Sequence, residues 1–150
     1  MNEKLDKDLC ERFPKLFVNR HADMKTTAMC WGFECGDGWY DILSALCGNI
    51  QDHIDWRNSQ RERLLKNNPH NHRIPEEVEQ VVVDQVKEKF GTLRFYYHGG
   101  DENIDGMVRM AESMSAVTCE ECGKPGYQSS GGWIVTLCGE HHEKRMFGKD

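Results

Sequence analysis

The stretch from Cys119 to His142 constrains this chain more than any other. It reads C-E-E-C-G-K-P-G-Y-Q-S-S-G-G-W-I-V-T-L-C-G-E-H-H. Cys119 and Cys122 form one C-x2-C pair, and Cys138 and His141 form a C-x2-H pair further on. Two such pairs are the spacing of a four-ligand zinc site, because a two-residue gap lets both members of a pair reach one ion. Cys119, Cys122, Cys138 and His141 are therefore the candidate metal ligands. His142 is the rival for the fourth place, and its neighbour is favoured because C-x2-H suits the first turn of a helix. Gly123, Pro125 and Gly126 supply a tight turn after the first pair. The apolar run Trp133–Leu137 predicts a strand that delivers Cys138 to a short final helix. Four protein ligands leave no open position, so the ion is expected to be structural, and its binding free energy to be folding free energy.

The 118 positions before Cys119 need a conventional core. At 150 residues the chain suffices for one domain of modest core size. The expected division is an N-terminal anchor over 1–29, an α+β core over 30–116 and a zinc-binding unit over 117–150. No apolar run approaches the roughly 20 residues that span a bilayer. The first eight residues carry no apolar signal core, so the seven cysteines point to a reducing cytoplasm rather than to disulfides. Cys30 and Cys35 make only a weak redox or metal pair, and Cys47 falls on an apolar stripe.

That stripe is Trp39, Ile42, Leu43, Leu46, Cys47, Ile50 and Ile54, the pattern of a helix with one buried face. It predicts a long amphipathic helix ending near Leu65, capped by Asp37 or Gly38 at its start. Ahead of it, residues 1–12 read as a short frayed helix, with Phe13, Leu16 and Phe17 docking on the core, and 19–29 as loop. His70 to Pro75 reads as a further loop. Val78–Lys87 is valine-rich and Thr92–His98 alternates, which predicts a β-hairpin turning near Gly91. Gln85 and Lys87 are expected to share a face with Val81 and Val83. A third helix begins near Asp101 or Asn103, with Ile104, Met107, Val108, Ala111 and Met114 as its stripe. The fold expectation is α+β: a long amphipathic helix packed on a β-hairpin, closed by a C-terminal, zinc-stapled, treble-clef-like unit.

Two further constellations carry chemistry. Lys87, Lys89, Arg94, Tyr96 and His98 combine cations with an aromatic ring, as a phosphate and a stacked base require. Glu34, Asp37 and Trp39 lie on a glycine-rich turn, where carboxylates either hold a metal or cap a helix. The formal net charge of −6 argues against indiscriminate binding to nucleic acid but permits a local anion site. These residues predict a pocket for an anionic, nucleotide-like ligand. Two other readings stand beside it: a metal-dependent nuclease or phosphodiesterase using Glu34, Asp37 and His142, and a protein-binding inhibitor presenting Trp31, Trp56 and Tyr127.

The phrases E-C-G-D-G-W-Y, K-E-K-F-G-T-L-R-F-Y-Y and C-E-x-C-G-x-P-G…G-W-I-x-T-L-C-x-x-H resemble a family of small uncharacterised bacteriophage and prophage proteins over roughly residues 30–142. The resemblance implies a bacterial host cytoplasm and an action on host defence, by binding a host protein or sequestering a nucleotide signal. The tail from Gly132 to Arg145 also resembles the last segment of HNH nucleases. It departs from that pattern because no histidine lies between Cys122 and Cys138, where the nuclease base would fall. The resemblance therefore implies a shared zinc scaffold without the chemistry.

Overall fold

A computed structural model describes residues 1–70 and 72–148. Asn71, inside the expected loop, and Lys149–Asp150, at the end of the expected zinc unit, lie outside the described residues. The described residues form four α-helices, α1 (Glu3–Arg12), α2 (Tyr40–Asn67), α3 (Glu102–Ser115) and α4 (Gly139–Phe147), and five short strands. The strands are β1 (Phe33–Glu34), β2 (Val82–Lys89), β3 (Thr92–His98), β4 (Tyr127–Gln128) and β5 (Thr136–Leu137).

α2 is the long amphipathic helix the stripe demands. Ile42, Leu43, Leu46, Cys47, Ile50 and Ile54 are buried along one face. They meet Val83 and Val86 of β2, Leu93 and Phe95 of β3, and Ile104, Val108 and Ala111 of α3 in one apolar cluster. Asp101 caps α3, its carboxylate accepting from Ile104 N–H. His53 Nε2 on α2 lies 2.7 Å from the same carboxylate and ties the two helices together. Of the expected α3 stripe, Met114 is instead exposed, and Ser115 is buried in its place. The Ser115 hydroxyl accepts from Leu93 N–H, which would otherwise be an unpaired donor on the edge strand.

The hairpin departs from its expected register. Val78 and Val81 are buried but lie before the strand. The Asn58 side chain on α2 pairs with both the N–H and the C=O of Val78, so this backbone is satisfied by a helix rather than by a ladder. Within β2 a bulge between Val83 and Gln85 makes Asp84 the extra residue. The inward set is thus Val83 and Val86, and Gln85 and Lys87 face away from them, contrary to strict alternation. The turn is Phe90-Gly91, with φ of 55° and 77°. Two successive positive φ angles define a tight hairpin turn whose twist matches the strands. The third strand has too short a pattern to be seen in the sequence: β1 adds in parallel to β2, pairing Phe33 with Val86 and Glu34 with Lys87.

α1 is better anchored than its charged composition predicts. Asn2 caps it. Leu9 is fully buried, as are Leu16 and, nearly, Phe17 just beyond the helix. Asp6 forms a two-pronged ion pair with Arg20 at 2.9 and 3.2 Å. Among the described residues, no helix is long and apolar enough to cross a membrane.

Candidate metal centre

The chain after α3 folds as knuckle, hairpin and helix, the order of a treble clef. Cys119 starts the knuckle, and Gly123 N–H closes it onto the Cys119 carbonyl at 2.9 Å. β4 and β5 form the hairpin. The strand expected over Trp133–Leu137 shrinks to Thr136–Leu137, because Trp133 and its neighbours form a loop. Cys138 is the N-cap of α4, and His141 stands in its first turn.

This geometry brings four ligand atoms, from Cys119, Cys122, Cys138 and His141, within 4.8 Å of one another, where they can hold one metal ion. His141 Nδ1 lies 3.2 Å from Cys138 Sγ and 3.4 Å from Cys119 Sγ. Cys122 Sγ is 3.8 Å from Cys138 Sγ. The far nitrogen, His141 Nε2, is 3.4 Å from the Glu121 carboxylate. A carboxylate there holds the proton on Nε2 and turns the Nδ1 lone pair toward the sulfurs. His142 lies outside this cluster. Its Nε2 is 2.9 Å from the Tyr127 carbonyl, and its ring stacks on Tyr127.

Cys119 favours the thiolate before any ion enters. Burial disfavours charge on Cys119, but the N–H groups of Cys138, Cys122 and Glu121 outweigh it and bring the thiol down to about 6. Cys122 is shifted upward instead: the Lys124 N–H favours its thiolate, yet burial and the neighbouring Cys119 and Cys138 sulfurs prevail.

The glycine-rich turn proves to be the socket of this unit. Gly38 N–H donates to the Glu120 carbonyl at 2.7 Å, and Gly36 N–H to the Glu120 carboxylate at 3.0 Å. A Cβ on Gly38 would lie 2.1 Å from the Cys119 carbonyl oxygen, and one on Gly36 2.3 Å from that of Glu120. Only bare backbone fits against the knuckle. Burial raises the Glu120 carboxyl pKa, against the stabilising Gly36 N–H. Trp39 is 0% exposed, and its indole N–H donates to the Thr118 carbonyl at 2.9 Å. Trp39 is thus a core residue and lines no open pocket. Asp37 does not cap α2, whose N-cap is Trp39 without a side-chain bond. Its carboxylate accepts from the Asn2 backbone and side chain, clamping the start of α1. The hairpin turn grips the unit from the other side, where the buried Thr136 hydroxyl donates to the Gly91 carbonyl.

The basic hairpin residues separate into two groups. Lys87 and Lys89 line a cleft of about 420 Å³ with Glu88, Phe90, Gly132, Trp133 and Ile134. Among the described residues neither lysine forms an ion pair, while Lys89 Nζ lies 5.6 Å from the Phe90 ring centroid. Glu88 is turned back to accept from Gly91 N–H. Arg94 is committed elsewhere: it donates to the Thr92 hydroxyl and the Leu93 carbonyl and lies 3.7 Å from Glu112 on α3. Tyr96 pairs across the strands with Gln85, whose side chain donates to Glu34. His98 sits at the far end of β3 against Asp84. Sequence reasoning missed Phe90, Trp133 and Ile134 as cleft residues, although a two-residue aromatic-glycine turn was a usable signal. Trp31, Trp56 and Tyr127 are all exposed. Among the described residues, Glu34, Asp37 and His142 form no metal-ligating group, and the four-residue cluster above is the one such group.

Comparison with protein-family models, with curated proteins and with solved structures returns no match.

Proposed function

We propose that this protein is a metal-stapled binding module whose ion is a structural Zn²⁺ and whose hairpin cleft takes an anionic, nucleotide-like ligand. Tetrahedral zinc, with bonds of about 2.3 Å to sulfur and about 2.0 Å to nitrogen, sets edges of about 3.8 Å between sulfurs and about 3.5 Å between sulfur and nitrogen. The sulfur-sulfur separation of 3.8 Å and the sulfur-nitrogen separations of 3.2 and 3.4 Å fit those edges before any adjustment. Three thiolates and an imidazole suit this borderline-soft ion, and the four ligands leave it no vacancy for substrate.

The observation that carries the ligand reading is the cleft itself. Two unpaired lysines face it, and two exposed aromatic rings, Phe90 and Trp133, flank it. Cations without carboxylate partners, on a protein of formal charge −6, are available to a phosphate, and the rings to a base. In this reading the protein works in the cytoplasm of a bacterial host and sequesters a nucleotide signal, as its resemblance to phage proteins implies. The zinc staple holds the Trp133 wall of the cleft against the hairpin wall.

The test is calorimetric titration of the zinc-loaded protein with adenosine monophosphate. Lys87→Ala together with Lys89→Ala is expected to weaken binding at least tenfold, and Arg94→Ala to leave it within twofold. Equal affinity in the double variant and the parent would remove the cleft from consideration.

A further inference from the structure

A second cleft also counts Trp133 among its lining residues. It has a volume of about 650 Å³ and lies between β4, the loop after it and α4. Tyr127 and His142 stack in its wall, with ring centroids 4.3 Å apart and planes at 29°. The Tyr127 carbonyl can only accept, so the hydrogen bond from His142 Nε2 places the proton on that nitrogen and holds the two rings flat. Arg145 follows on the same face of α4. Its guanidinium reaches the Trp133 carbonyl at 3.4 Å, and among the described residues it forms no ion pair. Trp133 is 74% exposed and Tyr127 56%. Neither ring is used by the core, and a tryptophan left in water beside a cation without a carboxylate partner can serve as a stacking platform.

Trp133 lines both clefts. Each cleft then has the same pair of elements: exposed rings (Phe90 on one side, the Tyr127–His142 stack on the other) and cations without carboxylate partners (Lys87 and Lys89, against Arg145). We infer that the two clefts form one groove for a dinucleotide, with a base on each side of Trp133 and the phosphates on Lys87, Lys89 and Arg145. This rests on the reading of the hairpin cleft proposed above and extends it to a ligand class. A long strand is the less suited occupant, because the net charge of −6 repels a polyanion beyond the reach of these few cations.

The experiment is isothermal titration of the zinc-loaded protein with adenosine monophosphate, a 5′-phosphorylated adenine dinucleotide and a ten-residue oligoadenylate. Adenine serves because base stacking on aromatic rings tolerates any base. The dinucleotide is expected to bind at least tenfold tighter than the monophosphate. Arg145→Ala and Trp133→Ala, both at exposed positions, are expected to remove that gain, and Arg145→Lys to restore part of it. Arg145→Ala should leave monophosphate affinity unchanged. A dinucleotide no tighter than the monophosphate, or a gain that survives Arg145→Ala, overturns the two-base groove. If Lys87→Ala with Lys89→Ala still weakens the monophosphate in that case, the hairpin reading stands alone. If the dinucleotide depends on Arg145 but not on the lysines, the hairpin reading and the joint groove both fail. A decamer bound tenfold tighter than the dinucleotide replaces the dinucleotide with a strand, and absence of binding to all three ends both readings.

Discussion

The α+β region and the Cys/His unit are built by different forces. The first is held by a continuous apolar cluster running from Leu9 through α2 and the hairpin to Ala111. Among the described residues of the second, the buried apolar set is Cys119, Leu137 and Cys138, with Val135 packed against them. A segment of about thirty residues cannot bury enough apolar surface to offset its chain entropy. Main-chain docking, with the ligand bonds of the ion proposed above, takes over that role. The second region therefore depends on the first in a way the first need not reciprocate: its knuckle leans on Gly36 and Gly38, and its Thr136 on Gly91.

Chelation tests this contrast with the largest expected effect. Removing the ion, or making Cys119→Ser, is expected to unfold the unit after Thr118, since metal binding in such sites contributes on the order of 10 kcal/mol. Amide exchange should then rise across 119–147 while α2 and β2–β3 stay protected. Loss of protection in α2 at the same rate would show the two regions to be one cooperative block.

Leu43→Ala is the converse. Leu43 is fully buried in the main cluster, so truncation is expected to cost about 3 kcal/mol in denaturant unfolding. Affinity for Zn²⁺, measured by competition with a chromophoric chelator, should be nearly unchanged.

Gly38→Ala sits on the seam. The added methyl meets the Cys119 carbonyl at 2.1 Å, and backbone on both sides leaves it nowhere to go. A loss of about 2 kcal/mol is expected, accompanied by weaker metal binding. A stability loss without a change in metal affinity would separate the socket from the ligands it is argued to support.

The smallest effect concerns the α2–α3 link. Asp101→Ala removes an N-cap and the His53 contact, at a cost of about 1 kcal/mol. Burial opposes charge on Asp101, but the hydrogen bond from His53, the Ile104 N–H and the charge of His53 outweigh it and depress its pKa. A depressed carboxyl contributes stability above its unfolded pKa of about 3.9 and loses it as pH falls through the lower folded value. The cost of the substitution should accordingly be full at neutral pH and shrink below about pH 4, as read from urea midpoints across that range.

The cluster of Cys119, Cys122, Cys138 and His141 was legible in the sequence because a C-x2 spacing is a local geometric statement. The α2 stripe was legible for the same reason, as was the Thr92–His98 strand. The face of Lys87 was misjudged because one bulge residue, Asp84, inverts the alternation, and nothing in a run of valines marks it. Trp39 and Asp37 read as ligand contacts in the sequence because a turn rich in glycine and carboxylate is ambiguous. Glycine permits close approach, but the partner that approaches, here residues 118–120, lies some eighty positions away.

The sequence by itself determined the local elements: a helix with one apolar face, a glycine-turned hairpin and four donors paired for one ion. Only the tertiary structure decided how they meet. It seated the knuckle on Gly36 and Gly38, placed His141 in the cysteine cluster while His142 stacks on Tyr127, and divided Lys87 and Lys89 from Arg94. The physical reason is range. Periodicity and ligand spacing act over a few residues and are written in order along the chain. A carbonyl against a bare glycine, or a tryptophan shared by two clefts, depends on backbone brought together from distant positions.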